Sequence, residues 1–267
     1  MKKNIELDIL SDLHTHTRYS DGKNTLSEMA DAAIEKGLKT IAVTDHMPLF
    51  FEDRYAMAYK AIPEYRDDIL KAKDAYKGKL TILMGMEMEY LSENPKWTED
   101  IVNMGWDWLI ASVHVVPGNG RYYLVNGNDA EFKDALYNGF SGEIKKLVTT
   151  YYETLAQTVS SGLFHVVGHL DVIKRHNTDG KLFPEHSDWH RALVEDILSI
   201  IQKTGLKVEI NTKGIDQAGT REQYPSNWIL DKCLEKDIPI VLSSDAHSTH
   251  VLGNHFAAFK TYPCLTD

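Results

Sequence analysis

Cysteine and long apolar runs are the clearest absences from this sequence. Only two of the 267 residues are cysteine, Cys233 and Cys264, which is too few for a disulfide framework. Apolar residues never run for the 18 positions that a membrane-spanning helix needs, and the opening MKKNIELDILSD lacks the apolar core of a signal peptide. We therefore expect a cytoplasmic protein that does not bind a membrane.

Positive charge is also in deficit. The chain has 29 lysines and arginines against 39 aspartates and glutamates, so its formal net charge is −10. Proteins that bind nucleic acid usually carry a basic surplus, so we expect no nucleic-acid partner. Hydrophobic residues at 43% and charged residues at 25% are close to globular averages, and no proline-rich or glycine- and serine-rich linker divides the chain. Residues 1–267 are thus predicted to form a single domain, whose oligomeric state the composition does not indicate.

Seven short runs of apolar and β-branched residues are predicted to be strands. They cover residues 5–13, 39–43, 80–86, 108–113, 164–168, 206–210 and 238–242. Amphipathic segments predict helices at residues 25–36, 63–77, 142–161, 187–204 and 225–236. This alternation favours a parallel sheet with right-handed crossovers. The predicted fold class is α/β, a distorted (β/α)7 barrel similar to a TIM barrel, with an open doubly wound sheet as the alternative.

Histidine is unusually frequent, with 12 residues, and its positions follow the predicted strands. The metal-capable side chains at the strand ends are His14, His16, Asp45, His46, Glu87, His114, His169, Asp171, Glu209, Asn211, Asp245 and His247. The C-terminal ends of parallel barrel strands meet at one mouth, so the pattern predicts a metal site there. Imidazole and carboxylate donors without thiolate favour Zn, Mn or Fe, and the donors are too many for one ion.

Four short motifs in this order resemble those of the PHP family, named for polymerase and histidinol phosphatase. They are DLHTH at 12–16 with SDG at 20–22, TDH at 44–46, GHLD at 168–171 and SDAH at 244–247. The match spans nearly the whole chain, which implies a single PHP-type catalytic domain. Within the family, SVH at 112–114, NTKG at 211–214 and YPS at 224–226 resemble the stand-alone histidinol-phosphate phosphatases of histidine biosynthesis.

The resemblance implies a distorted seven-stranded barrel that holds three divalent transition metal ions, Zn, Mn or Fe. One ion would be bound by His14, His16, Glu87 and Asp245, the second by Glu87, His114 and His169, and the third by Asp21, His46 and His247. Glu87 is the expected bridge. Three such ions would leave the site with a net charge of about +2 after three carboxylates and one hydroxide. A protein of charge −10 could then bind a phosphate dianion.

The activity that the resemblance implies is hydrolysis of L-histidinol phosphate to L-histidinol and phosphate. A metal-bridging hydroxide would attack phosphorus. The alternative is a PHP-type phosphoesterase acting on nucleotides or other small phosphate esters. The acidic charge disfavours an exonuclease like the PHP domain of some bacterial polymerases. The nine intact ligands disfavour a binding module without turnover.

Other residues are candidates for binding the substrate and for proton transfer. The candidates for phosphate contact are, in order, Arg175, Arg121, Lys213 and Arg221. Asp245 with His247 is the expected proton-handling pair, and the substrate ammonium is expected at Glu89, Glu52 or Asp53. Asp12, Asp45 and Asp171 are expected to orient ligating imidazoles rather than to bind metal.

Overall fold

The strands lie in one large sheet and two small ones. The computed structural model describes residues 4–263, so Cys264 lies outside the described residues. In chain order the strands are β1 (Asn4–Glu6), β2 (Ser11–Thr15), β3 (Thr40–Val43), β4 (Thr81–Glu89), β5 (Trp108–Ser112), β6 (Val115–Gly118), β7 (Arg121–Leu124), β8 (Val166–Val167), β9 (Lys207–Asn211), β10 (Ile240–Ser243) and β11 (Thr261–Pro263).

The large sheet has seven parallel strands and is nearly closed into a barrel. Its strand order is β10-β9-β8-β5-β4-β3-β2, and every neighbouring pair is parallel. The two edge strands approach each other where Thr15 pairs with Ala246, just past β10. Across this seam the His16 N–H donates to the Ala246 carbonyl at 2.8 Å. The predicted distorted (β/α)7 barrel is therefore confirmed.

Helices flank the sheet. The α-helices are α1 (Leu26–Glu35), α2 (Ile62–Ala75), α3 (Pro95–Val102), α4 (Asp129–Asp134), α5 (Ile144–Ser160), α6 (Asp188–Thr204) and α7 (Asn227–Glu235). A π-helical turn follows α4 at Ala135–Gly139, and 3-10 helices lie at Tyr59–Ala61, Val172–His176, Thr178–Gly180, Thr212–Asp216, Thr249–Val251 and Phe256–Phe259. No helix in the described part of the chain is long and apolar enough to cross a membrane.

Local sequence explains the helix ends. At the start of α1, the Thr25 side chain accepts from the Glu28 N–H while the Glu28 carboxylate accepts from the Thr25 N–H, a reciprocal capping box. At the end of α6, Gly205 has a φ of 72°, a left-handed conformation that suits glycine. All five predicted helices are present, because each of these segments is amphipathic and buries its apolar face.

The first predicted strand needs correction. Residues 5–13 form two strands rather than one, since β1 pairs antiparallel with β11 and only β2 joins the barrel. The chain turns between them at Asp8, whose carboxylate accepts from the Leu10 N–H at 2.9 Å and from the Ser11 hydroxyl at 2.6 Å. The β6–β7 hairpin and the helices α3 and α4 were not predicted. They lie in the segments between barrel strands, where alternating apolar patterns are short.

Candidate metal centre

The nine predicted ligands converge at the C-terminal mouth of the barrel. Three groups have donor atoms within 4.8 Å of one another: His16 with Asp21, His46 and His247; His14 with His16 and Glu87; and His46 with Glu87 and His114. The other two positions join the same cluster. His169 Nε2 lies 2.8 Å from Glu87, and the Asp245 carboxylate lies 3.4 Å from His16 Nε2.

Glu87 is the centre of this cluster. Its Oε1 faces His114 Nε2 at 3.1 Å and His169 Nε2 at 2.8 Å. Its Oε2 faces His46 Nδ1 at 2.9 Å, His14 Nε2 at 3.3 Å and His16 Nε2 at 3.5 Å. One carboxylate thus presents its two oxygens to two different groups of imidazoles, the geometry that a bridging ligand requires.

Strand geometry explains how the first imidazoles reach Glu87. His14 and Asp12 alternate with Leu13 on β2, and His16 follows directly, so His14 and His16 project to the same side. Both rings are fully buried and their centroids are 5.0 Å apart. In the next loop, a Cβ on Gly22 would lie 2.6 Å from the backbone of His16, so only glycine fits where the loop returns beside this strand.

The residues present fit divalent metal ions. His14 Nε2, both ring nitrogens of His16 and His169 Nδ1 are buried without a hydrogen-bond partner. A buried polar atom without a partner costs about 1–3 kcal/mol, and each neutral imidazole has one nitrogen lone pair, so three such rings in one cluster indicate a missing partner that accepts lone pairs. The contact of 3.1 Å between His114 Nε2 and His169 Nε2 has the same explanation, because a cation between two imidazoles would take both lone pairs.

The electrostatics of the cluster favour bound cations. Burial would raise the pKa of Glu87, but the surrounding imidazoles of His114 and His14 hold it well below its usual range. The pKa of Asp245 is likewise lowered despite burial, chiefly by the Lys213 ammonium. Burial lowers the pKa of His16, so this imidazole stays neutral with a lone pair available for a metal.

Two glutamates orient ligating imidazoles. Glu209 Oε1, on β9, accepts from His14 Nδ1 at 2.7 Å, which turns His14 Nε2 toward the cluster. Glu89 Oε1, on β4, lies 2.5 Å from His114 Nδ1 and accepts from the His114 backbone N–H at 2.9 Å. Glu89 was expected to bind the substrate ammonium, whereas the structure places its carboxylate against a ligating histidine. The sequence pattern places Glu209 near the end of a predicted strand, but it does not predict the contact of Glu209 with His14.

The expectation that Asp12, Asp45 and Asp171 orient imidazoles is wrong. None of their carboxylates bonds a histidine ring in the described chain, and each instead holds a loop. Asp12 accepts from the Ser244 N–H at 3.0 Å and from the Gly253 N–H at 2.9 Å, across the barrel seam.

Asp45 and Asp171 also bond to loop residues of the site. Asp45 accepts from the backbone and hydroxyl of Thr17 and Ser20, which fixes the loop that carries Asp21. Asp171 accepts from the Ser226 N–H at 2.9 Å and from its hydroxyl at 2.7 Å. These three aspartates therefore hold the loops of the site rather than its imidazole rings.

The expected proton-handling pair lies at the edge of the cluster. Asp245 adopts a left-handed backbone conformation with a φ of 51°, which is uncommon for a residue other than glycine and is typical of functional sites. Its Oδ1 lies 3.3 Å from His247 Nδ1 and accepts from Lys213 Nζ at 3.0 Å. Asn211 Nδ2 donates to Asp245 Oδ2 at 3.1 Å, so both carboxylate oxygens have partners.

A cavity of about 260 Å³ opens above the cluster. Arg175 and Lys213 line it, and the Arg175 guanidinium donates to the Asn126 carbonyl. Arg121 does not line it. Its guanidinium pairs with Asp134 at 2.7 Å and lies over the Tyr123 ring, so Arg121 is not placed to bind substrate. The cavity lining also omits Arg221, whose side chain donates to the Ala218 carbonyl.

The fold and the cluster together define a class. A parallel α/β barrel that gathers imidazoles and carboxylates at its C-terminal mouth is typical of metal-dependent hydrolytic enzymes. The chain belongs to the PHP domain family, because the model of that family matches residues 12–213.

Known proteins agree with this membership. The chain is 30% identical over 269 aligned residues to the histidinol-phosphatase of Bacillus subtilis, which covers 93% of this chain and 97% of that protein. A structure from Listeria monocytogenes, assigned as a histidinol phosphatase, matches 93% of this chain and 99% of its own with a TM-score of 0.85 at 22% identity. The Lactococcus lactis histidinol phosphate phosphatase complexed with Zn, L-histidinol and phosphate matches 94% and 91% with a TM-score of 0.68 at 21% identity.

Proposed function

We propose that this chain is a metal-dependent phosphomonoesterase that hydrolyses L-histidinol phosphate to L-histidinol and phosphate. The observation that carries the proposal is the convergence of the nine donor side chains at the barrel mouth, with Glu87 at their centre. The near full-length similarity to a histidinol-phosphatase selects the substrate within the family. The chain would act as one catalytic unit over residues 1–267.

The nine donors would hold three ions, with Zn, Mn and Fe as the candidates. The ligand sets would be His14, His16, Glu87 and Asp245; Glu87, His114 and His169; and Asp21, His46 and His247. When bound, such ions polarise phosphoryl oxygens and activate water for attack on phosphorus. The contacts of the two Glu87 oxygens with different imidazoles support its assignment as the bridge. The unpartnered ring nitrogens support the assignment of the histidines as ligands.

The chain itself supplies positive charge for the phosphate. Arg175 and Lys213 both line the cavity, and we assign them to the phosphate oxygens that the ions do not hold. Lys213 Nζ also lies 3.2 Å from His247 Nδ1 and 3.0 Å from the Asp245 carboxylate. These contacts connect the three side chains, and we assign the delivery of a proton to the leaving alkoxide to Asp245 and His247.

Cavity size favours a small substrate over a nucleotide. Small-molecule sites generally enclose roughly 300–1,000 Å³, and the cavity of about 260 Å³ lies just below that range. A compact phosphorylated amino alcohol suits such a volume better than a nucleoside phosphate does.

Phosphate release tests the proposal directly. The enzyme, purified without chelator and supplemented separately with Zn²⁺ or Mn²⁺, would be assayed with L-histidinol phosphate, AMP and p-nitrophenyl phosphate. We expect a kcat/KM for histidinol phosphate at least about a hundredfold above the others, which corresponds to about 2.7 kcal/mol of discrimination. Comparable low rates on all three would reject the substrate, and preference for AMP would establish the nucleotide alternative.

A further inference from the structure

The cavity contains one carboxylate that the metal cluster does not use. The carboxylates that line it are Asp21, Asp53, Glu87, Glu89 and Asp245. Asp21, Glu87 and Asp245 contact the cluster imidazoles, and Glu89 contacts His114. Asp53 differs from these four, because its Oδ2 accepts no hydrogen bond from any residue between 4 and 263.

The Asp53 side chain is held in a fixed orientation. Its Oδ1 accepts from the Tyr55 N–H at 2.7 Å and from the Ala56 N–H at 3.1 Å. A short polar side chain that bonds the backbone two and three residues ahead defines a local turn and restricts its own rotation. Oδ2 is therefore presented from a constrained carboxylate, which reduces the entropy lost when a ligand binds it.

The loop that carries Asp53 is anchored to α4. Arg54 pairs with Glu131 Oε1 at 2.8 Å, and the Tyr55 hydroxyl donates to Glu131 Oε2 at 3.2 Å. Glu131 belongs to the capping box of α4, where it accepts from the Asn128 N–H at 2.8 Å. Contacts with a capped helix thus hold the loop around Asp53 in place.

We propose that Asp53 binds the ammonium group of the substrate and thereby selects phosphate esters of amino alcohols. This inference rests on the proposed function, because L-histidinol phosphate carries a dianionic phosphate at one end and a primary ammonium beside it. The cations of the site would hold the phosphate, and Asp53 supplies the opposite charge within the same small cavity. A charge-assisted hydrogen bond of this kind discriminates strongly against a ligand that lacks the cation.

The test compares two substrates and two variants. The substrates are L-histidinol phosphate and 3-(imidazol-4-yl)propyl phosphate, which lacks only the amino group. Asp53→Asn keeps the oxygen that accepts from the backbone and removes the negative charge. Asp67→Asn makes the same chemical change at an exposed position on α2, outside the cavity.

We expect Asp53→Asn to lower kcat/KM for L-histidinol phosphate roughly tenfold to a hundredfold, mainly through KM. The same variant should leave kcat/KM for the deaminated substrate unchanged, and Asp67→Asn should leave both unchanged. Equal losses on both substrates, or no loss on either, would overturn the assignment of Asp53. A wild-type enzyme that does not prefer L-histidinol phosphate to p-nitrophenyl phosphate would instead overturn the proposed function itself, and this inference with it.

Discussion

In the middle of β9, Glu209 contacts residues of β2 and β10 and the segment that follows β8. Its Oε1 accepts from His14 Nδ1 at 2.7 Å and from the Ser243 hydroxyl. Its Oε2 accepts from the His169 backbone N–H at 2.7 Å and from Asn211 Nδ2 at 3.2 Å. Both oxygens therefore face donors, and two of the four donors belong to residues that we assign as metal ligands.

Replacing Glu209 by Gln should weaken metal binding. An amide can accept on one side only, so its NH₂ group would face a donor at either His14 or His169. Loss of such a partner behind a ligating histidine typically costs about 10–100-fold in metal affinity. Metal content per chain, measured by mass spectrometry after dialysis against a competing chelator, should fall relative to wild type. Glu99→Gln, at an exposed position on α3, is the matched control, and full metal retention in Glu209→Gln would contradict the role.

Arg175 and Arg121 provide a second comparison at the residue scale. Arg175 lines the cavity, whereas Arg121 is 59% exposed and paired with Asp134. We expect Arg175→Ala to lower kcat/KM for the phosphate ester about tenfold or more and Arg121→Ala to leave it unchanged. Steady-state kinetics on both variants, at equal metal content, checks this. An unchanged kcat/KM in Arg175→Ala would remove that residue from phosphate binding.

The sequence indicated the candidate metal ligands, but it indicated much less about the side chains that hydrogen-bond to those ligands. His14 and His16 could be found because two-residue spacing on a strand places both side chains on one face. Glu209 looks the same in sequence as a ligand such as Glu87, since both are acids near the end of a strand. Only the side-chain contacts distinguish an acid that faces the cluster from one that supports a histidine from behind.

Among the connecting elements, the 3-10 helix Val172–His176 carries a buried ion pair. Lys174 is 4% exposed, and its Nζ lies 3.1 Å from Asp171 and 2.9 Å from Glu222. It also donates to the Ser226 hydroxyl at 2.7 Å. These bonds hold the segment before α7 against the 3-10 helix Val172–His176. The same segment places Tyr224 in the cavity wall.

Removing one partner of this pair should destabilise the protein strongly. Lys174→Met leaves Asp171 buried without its cation, a change that typically costs about 3–5 kcal/mol. The free energy of unfolding from urea titration of the metal-saturated enzyme should decrease by that amount. Lys232→Met is the control, because Lys232 forms an exposed pair with Glu235 whose loss should cost less than about 1 kcal/mol. Similar stability of both variants would contradict this account.

The bounds of helices could be predicted where an amphipathic pattern ended at a capping residue. The bounds of strands were predicted less accurately. The helix at 187–204 was found because an amphipathic stretch ends at a glycine in the left-handed conformation. The strand at 164–168 shortens to Val166–Val167 in the structure. A Cβ on Gly168 would lie 2.7 Å from Ser112 Oγ, so the backbone packs closely against β5 at this position. The pattern of apolar residues in the sequence does not indicate such a close approach.

For the whole molecule, the barrel mouth concentrates buried carboxylates whose charge bound cations would balance. The protein carries a net charge of −10, and the carboxylates of Glu87 and Asp245 are buried. Bound ions would therefore stabilise the folded state by mass action, because an unfolded chain does not bring the nine ligands together.

Metal removal should lower the melting temperature. We expect dialysis against EDTA to reduce the Tm by roughly 10 °C, and readdition of Zn²⁺ or Mn²⁺ to restore it. Thermal unfolding followed by circular dichroism measures this. His16→Ala removes a buried ring of the cluster, so its Tm should depend far less on added metal. Identical Tm values for treated and untreated wild-type protein would contradict a stabilising metal centre.

The alternation of strands and helices predicted the barrel class but could not decide whether the sheet closes. Closure depends on contacts between the two ends of the sheet, such as the bond of 2.8 Å from His16 to Ala246. These contacts join residues far apart in sequence, and local periodicity contains no information about them.

The seam between β2 and β10 also has a consequence for biosynthesis. Asp12 and Ser244 are bonded across it although they are 232 positions apart. His14 and His16 are likewise separated from Asp245 and His247 by most of the sequence. The ligand set that we propose therefore exists only after both edge strands have been synthesised and have met at the seam. Metal loading should accordingly follow closure of the sheet rather than precede it.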